Sequence, residues 1–201
     1  MGKILLASNN RGKLIEIQAI LEGQDIQIFT PKELGIEIQV VEDGTTYAEN
    51  AALKARAFSQ ASGMTCLADD SGLEVYCLGG QPGLHSARFS PKPGATDADR
   101  RSFLLERLAV YTHPWKARFH CTVALGTIEG KVLYAEGECQ GEIITEERGT
   151  NGFGYDPIFY IPQIGHTMAE LTLQEKNRLS HRARAVQAAL PQLHRLLAQQ
   201  P

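Results

Sequence analysis

Two adjacent carboxylates, Asp69 and Asp70, stand between two apolar runs, and a serine and a glycine follow them directly. The runs at 65–68 and 73–78 are rich in β-branched and apolar residues. This predicts two strands, with a sharp break at the Asp-Ser-Gly sequence. Carboxylates at a strand end commonly hold a hard cation such as Mg²⁺. A β-turn whose aspartates accept hydrogen bonds from backbone N–H groups explains the same residues. This stretch alone leaves both interpretations open.

A polar segment from Ser8 to Lys13 lies between a short apolar strand and an amphipathic helix. The free N–H groups and dipole of a helix N-terminus attract anions, and the lysine would add a positive charge. The segment is not a P-loop, because Ala7 stands where that motif needs glycine and Leu14 where it needs serine or threonine. A capped strand–helix turn that binds nothing remains the alternative.

The stretch from Gly149 to Pro157 contains three glycines and two aromatic residues. Glycine permits backbone conformations that a Cβ would forbid, and aromatic rings suit stacking on a flat ligand. The stretch is not a dinucleotide-binding fingerprint, because extended structure rather than a helix follows it. Packing of Phe153 into the core is an equal explanation.

Basic residues gather near a predicted helix junction at Lys176, His181 and Arg182. They could converge on a phosphate or on a base that carries a carbonyl group, or they could form a solvated helix face.

Two acids, Glu42 and Glu49, stand beside the start of a predicted helix over 46–60. Either could face a metal, although acids at this position usually complement the helix dipole.

The elements that must position these residues alternate between strands and helices. Two long strands over 117–128 and 131–145 are predicted around a hairpin turn at Glu129-Gly130. Threonines followed three residues later by an acid predict helix starts at Thr96 and Thr172. Pro191 lies inside the final predicted helix and should kink or divide it.

Bulk composition predicts one globular domain over residues 1–201. The net charge of −3 argues against a dedicated nucleic-acid binder. No apolar run approaches the roughly 18 residues of a membrane span, and no signal peptide opens the chain. The four cysteines show no paired spacing, so we expect reduced core residues in strands, no zinc site and a cytoplasmic protein; they are Cys66, Cys77, Cys121 and Cys139.

Six blocks from residue 8 to residue 182 together resemble one family, the non-canonical purine nucleoside triphosphate pyrophosphatases (inosine triphosphatase, or XTP/dITP diphosphatase). The blocks are Ser8-x-Asn10-x-x-Lys13, Glu49-Asn50-Ala51, Ala68-Asp69-Asp70-Ser71-Gly72-Leu73, Pro82-Gly83-x-x-Ser86-Ala87-Arg88-Phe89, Gly152-Phe153-Gly154-Tyr155-Asp156-Pro157-Ile158-Phe159 and Ser180-His181-Arg182. No single block is decisive, but their combination and order are specific.

The resemblance implies an α/β fold with an elongated mixed sheet flanked by helices, and two lobes with a cleft between them. It implies a Mg²⁺-dependent homodimer that hydrolyses ITP, dITP and XTP to the monophosphate and pyrophosphate. Asp70 would be the catalytic base and a metal ligand, and Glu42 a second metal ligand. The implied substrate-binding residues are Ser8, Asn9, Asn10, Arg11, Gly12, Lys13, Ser71, Phe153, Gly154, Tyr155, Asp156, Lys176, His181 and Arg182.

Within that set, His181 and Arg182 would read the base. If the strand continues regularly to Asp70, alternation turns the two aspartates to opposite faces, and Asp69 then supports its neighbour. Two other functions remain open. One is a related pyrophosphatase with another base specificity, for example for modified pyrimidines. The other is a nucleotide-sensing module without turnover.

Overall fold

The computed structural model describes residues 2–199, which form one seven-stranded sheet and five α-helices. The strands are β1 (Gly2–Leu6), β2 (Ile26–Phe29), β3 (Thr65–Val75), β4 (Trp115–Gly126), β5 (Val132–Ile143), β6 (Phe159–Ile161) and β7 (His166–Thr167). The helices are α1 (Arg11–Leu21), α2 (Tyr47–Ser62), α3 (Asp97–Leu108), α4 (Leu173–Leu179) and α5 (His181–Ala198).

The strand order is β2-β1-β3-β4-β5-β6-β7. Strand β1 pairs in parallel with β2 and β3, whereas β6 pairs antiparallel with β5 and β7. The predicted α/β class and mixed sheet flanked by helices are therefore confirmed. Among residues 2–199, no helix has both the length and the apolar character needed to cross a bilayer.

The chain divides into two compact units. Among the described residues, unit 1 contains 2–70, 121–137 and 181–199, and unit 2 contains 71–120 and 138–180. In unit 1, α1 packs against α5, and buried apolar residues such as Ile4, Ile17 and Val186 form one core cluster. In unit 2, Leu104 and Phe159 belong to a second cluster. The predicted cleft between two lobes stays a prediction.

Strand β3 continues without a break through the Asp-Ser-Gly sequence. The predicted break is wrong, because β3 lies between β1 and β4 in the sheet and inter-strand pairing outweighs the local turn preference of these residues. Asp69 and Asp70 accordingly lie within a strand rather than at its end.

Helix starts follow the sequence closely. The capping boxes that Thr96 and Thr172 predict are both present, and each threonine accepts a hydrogen bond from the N–H three residues later. Helix α5 runs as one element through Pro191, so its predicted division is wrong. Buried contacts on both sides of the exposed proline, at Val186 and Leu193, stabilise the helix despite the missing N–H.

The four cysteines are thiols rather than disulfides, as predicted. Cys66, Cys121 and Cys139 are buried in strands. Cys77 is instead exposed in a short 3-10 turn over Tyr76–Leu78, so its placement in a core strand was wrong. Gly79 ends that turn with φ of +63°, a conformation that glycine adopts without strain.

Candidate active site

Asp69 is the buried centre of a charge cluster in unit 1. Its side chain is 1% exposed, and its Oδ2 accepts hydrogen bonds from Lys13 Nζ at 3.0 Å and Arg182 Nε at 3.2 Å. Burial alone would raise the pKa of Asp69, but the nearby positive charges of Lys13, Arg182 and Lys54 hold it well below its usual range. Asp69 is therefore an anchor for two cations and is ionised at neutral pH.

Asp70 points to the opposite side of β3, as strand alternation requires. Asn50 Nδ2 donates to Asp70 Oδ2 at 3.2 Å, and Lys54 Nζ lies 4.0 Å from Oδ1. Partial burial raises the pKa of Asp70, and Lys54, Lys13 and Asn50 offset this only in part, while Glu42 adds to it. A carboxylate with a raised pKa and some solvent access suits a general base.

Helix α2 supplies Asn50 and Lys54 from two successive turns of the same face. Both residues also hold the segment that precedes the helix. The N–H of Gly44 donates to Asn50 Oδ1 at 2.9 Å, and Lys54 Nζ donates to Glu42 Oε2 at 2.7 Å. Because Gly44 N–H can only donate, it fixes the amide orientation and turns the Asn50 NH₂ group towards Asp70.

Sequence reasoning missed Asn50 and Lys54 as site residues. The available signal was a polar pair at i, i+4 spacing on a helix that is otherwise rich in alanine. Glu49, the alternative to Glu42, accepts hydrogen bonds from the N–H and hydroxyl of Thr45 at 2.6 and 2.9 Å. These bonds lower the pKa of Glu49, which is consistent with the helix-complement interpretation.

Arg182 is fully buried at the start of α5, where its guanidinium contacts both Asp69 and Glu16. Burial opposes the charged guanidinium, but the charges of Asp69 and Glu16 outweigh it and raise the pKa of Arg182 above its normal value. Its neighbour His181 is also buried. Reading of the base by these two residues stays a prediction, and Glu16, which the sequence analysis did not select, is a principal partner of Arg182.

The segment from Ser8 to Lys13 forms a capped helix start. Asn10 is the N-cap of α1 and accepts a hydrogen bond from Lys13 N at 3.1 Å, and Asn10 N donates to Ser8 Oγ at 3.2 Å. Asn9 and Arg11 are exposed, and Gly12 is half-buried. The capped turn is thus present, and it leaves an exposed helix N-terminus that could bind an anion.

In unit 2, Asp156 fixes the glycine-rich stretch. Its Oδ2 accepts hydrogen bonds from Phe153 N at 2.9 Å and from Lys176 Nζ at 2.5 Å, and that ammonium also lies 5.2 Å from the centre of the Phe153 ring. Asp156 and Lys176 are both buried. Tyr155 is buried as well, and its hydroxyl donates to the carbonyl of Ser86 at 2.9 Å. Phe153 and Gly154 are only half-buried.

Comparison with known proteins shows the family to which the chain belongs. The model of the Ham1 family matches residues 4–192. This chain belongs to the Ham1 family. A relative from Desulforamulus reducens, named dITP/XTP pyrophosphatase, is 41% identical over 98% of each chain. Another of that name, from Desulfotalea psychrophila, is 44% identical over 98% of this chain and 88% of its own.

Solved Ham1 structures have the same fold. A HAM1 protein from Coxiella burnetii superposes with a TM-score of 0.86 at 42% identity and covers 97% of this chain and 100% of its own. The Staphylococcus aureus Ham1 protein gives 0.84 at 37% identity and covers 96% and 99%.

The carboxylates of this Ham1 chain fit a metal that arrives with a phosphate ligand. Within the described part of the chain, no group of three or more His, Cys, Asp or Glu side chains could hold a metal ion by itself. Mg²⁺, however, commonly takes only one or two carboxylates together with water and substrate phosphates. Asp70 and Glu42 both approach Lys54 Nζ, and Asp70 is partly exposed. Asp70 and Glu42 are the two carboxylates that would hold such an ion.

Proposed function

We propose that this chain hydrolyses dITP, XTP and ITP to the nucleoside monophosphate and pyrophosphate, and so removes deaminated purines from the nucleotide pool. The observation that carries the proposal is Asp70, a partly exposed carboxylate with a raised pKa that Asn50 and Lys54 hold in place. The activity matches the name dITP/XTP pyrophosphatase of relatives that align over nearly the whole chain.

The chemical step requires water to attack a phosphorus atom that is surrounded by negative oxygens. Asp70 orients the water and accepts its proton, which contributes about 10²–10⁴-fold to the rate. Lys13, anchored on Asp69, and the exposed N-terminus of α1 neutralise phosphate charge. Asp70 and Glu42 would hold Mg²⁺, which would supply further neutralisation of phosphate charge when bound.

The nucleoside half is proposed to contact the stretch around Phe153, Gly154, Tyr155 and Asp156, with Lys176 beside it. The half-buried Phe153 ring offers a face for stacking. Discrimination against adenine needs a donor aimed at the 6-oxo group, because adenine then leaves that buried donor unsatisfied. Ser71, which follows Asp70 in β3, is a further proposed contact.

The remaining parts of the proposal concern the whole protein. We propose that residues 1–201 act as one catalytic domain in a cytoplasmic homodimer. Gel filtration coupled to light scattering distinguishes the expected dimer of this 22.0-kDa chain from a monomer.

Product analysis in ¹⁸O-labelled water tests the activity. Attack at the α-phosphorus of dITP places the label in dIMP and releases unlabelled pyrophosphate, and omission of Mg²⁺ should abolish the reaction. Release of single phosphate would contradict the proposed reaction. Faster turnover of ATP or dCTP than of dITP would indicate another base specificity, and binding without turnover would indicate a sensing module.

A further inference from the structure

The peptide at Gly154 is held on both sides by the first turn and a half of α3. Asp97 Oδ2 accepts a hydrogen bond from Gly154 N at 2.7 Å, and Arg101 Nη1 donates to Gly154 O at 2.8 Å. Asp97 and Arg101 are four residues apart and therefore share one face of the helix. Asp97 thus accepts from the N–H of Gly154, and Arg101 donates to its C=O. Both backbone polar groups of Gly154 are hydrogen-bonded to charged side chains.

Arg101 also contacts a residue that precedes the glycine-rich stretch. Its Nε and Nη2 bind the two carboxylate oxygens of Glu147, both at 2.8 Å, in a bidentate pair. The Arg101 side chain is 12% exposed and the Glu147 side chain is 47% exposed, so only the arginine side of the pair is shielded from solvent. One guanidinium therefore joins Glu147, before the glycine-rich stretch, to Gly154 within it.

The contacts from α3 add to the constraint that Asp156 already places on the glycine-rich stretch. Gly152 and Gly154 have φ of +76° and +63°, and glycine loses more conformational freedom on ordering than any other residue. Neither contact serves to cap α3, because Thr96 and Asp99 already form its capping box. Asp97 and Arg101 are thus available to hold the loop, and Arg100 in turn contacts Asp97.

We propose that Asp97 and Arg101 are positioning residues that hold residues 153–156 in the conformation that binds the nucleoside half of the substrate. This inference rests on the proposed function. Without the two contacts, the binding-competent loop is only fractionally populated, and the apparent affinity for the nucleoside falls by that fraction. The phosphate-binding residues of unit 1 lie outside this loop and should keep their affinity.

The test compares two substitutions with two matched controls on the same helix. Asp97→Ala and Arg101→Met remove the contacts to Gly154. Asp99→Ala removes the capping acid, and Arg107→Met removes an arginine that lies 6.0 Å from the Phe103 ring, far from the helix start. The measurements are kcat and KM for dITP, the inhibition constant of tripolyphosphate, and calorimetric binding of dIMP.

We expect the first two variants to raise KM for dITP about tenfold, the equivalent of one charge-assisted hydrogen bond. The dissociation constant of dIMP should rise by a similar factor in these two variants. Their kcat and their inhibition constant for tripolyphosphate should stay within about twofold of the values for the unsubstituted protein. In both control variants, all of these quantities should stay within about twofold. Arg101→Lys retains a positive charge but cannot form the fork to Glu147, and it should show the same pattern in milder form.

Unchanged KM and dIMP binding in Asp97→Ala and Arg101→Met would overturn the inference. Equal weakening of dITP and tripolyphosphate would also overturn it, because that pattern indicates general disruption. If Asp97→Ala does not fold, Arg101→Lys decides by the same criteria. Absence of dITP turnover in the unsubstituted protein would count against the proposed function, and dIMP binding would then still decide the role of α3.

Discussion

Replacement of Arg182 by methionine separates a structural role of this residue from recognition of the base. The guanidinium contacts Asp69 and Glu16, and all three side chains are at most 5% exposed. Methionine fills much of the volume but leaves two buried carboxylates without the cation between them. Removal of one partner from a buried ion pair costs about 3–5 kcal/mol of unfolding free energy.

Urea unfolding and thermal melting measure that cost. For a chain of this size, a change of about 1 kcal/mol in unfolding free energy shifts Tm by roughly 2–4 °C. We therefore expect the Tm of Arg182→Met to fall by about 6–20 °C. Arg195→Met is the matched control, because Arg195 is an exposed arginine on the same helix and should change stability by less than about 0.5 kcal/mol. A double variant with Glu16→Gln should be destabilised by less than the sum of the single changes, with a coupling of about 1–3 kcal/mol.

A loss of unfolding free energy below about 1 kcal/mol in Arg182→Met would refute this reasoning, since removal of a buried cation that contacts two buried carboxylates should cost more. The ratio of kcat/KM for dITP over dATP, measured on the same folded variant, is the second readout. A collapsed ratio with intact stability would assign Arg182 to the base, as the family resemblance implies. A preserved ratio with lower stability would make it a positioning residue for Asp69.

Three further outcomes are expected. Asp70→Asn should lower turnover of dITP about 10²–10⁴-fold while nucleotide binding persists, and near-normal rates would remove Asp70 as the base. Asn50→Leu should lower kcat about tenfold, because Asp70 and Gly44 each lose a hydrogen-bond partner, and unchanged kcat would contradict that role. Maleimide should label only Cys77 in the native protein, since Cys66, Cys121 and Cys139 are buried, and mass spectrometry would detect any second site.

Sequence predicted the parts of the fold that depend on neighbouring residues. Thr96 and Thr172 start helices because the threonine and the acid that form each capping box are three residues apart. The break at Asp-Ser-Gly was predicted on the same local basis and failed. Pairing partners for β3 come from β1 and β4, and a strand between two neighbours can retain residues that would otherwise favour a turn.

The candidate site likewise has local features that the sequence predicts and long-range contacts that it does not. The helix start at Ser8 to Lys13 was visible in the sequence because capping is local. The contact between Arg182 and Glu16 joins residues 166 positions apart, so no periodicity could reveal it. Lys54 was missed for a related reason: its partner Glu42 lies in an irregular segment before α2, where no repeating pattern fixes the direction of a side chain.

The two aspartates acquire different properties from the alternation of a single strand. Because β3 stays regular, Asp69 turns inward, where Lys13 and Arg182 neutralise it and lower its pKa. Asp70 turns to the other side, where burial without full compensation raises its pKa and α2 supplies an amide and an ammonium. A turn at this point would have removed that separation, since adjacent turn residues need not face opposite ways. The unbroken strand is therefore the feature that allows one carboxylate to organise cations while its neighbour remains available to accept a proton.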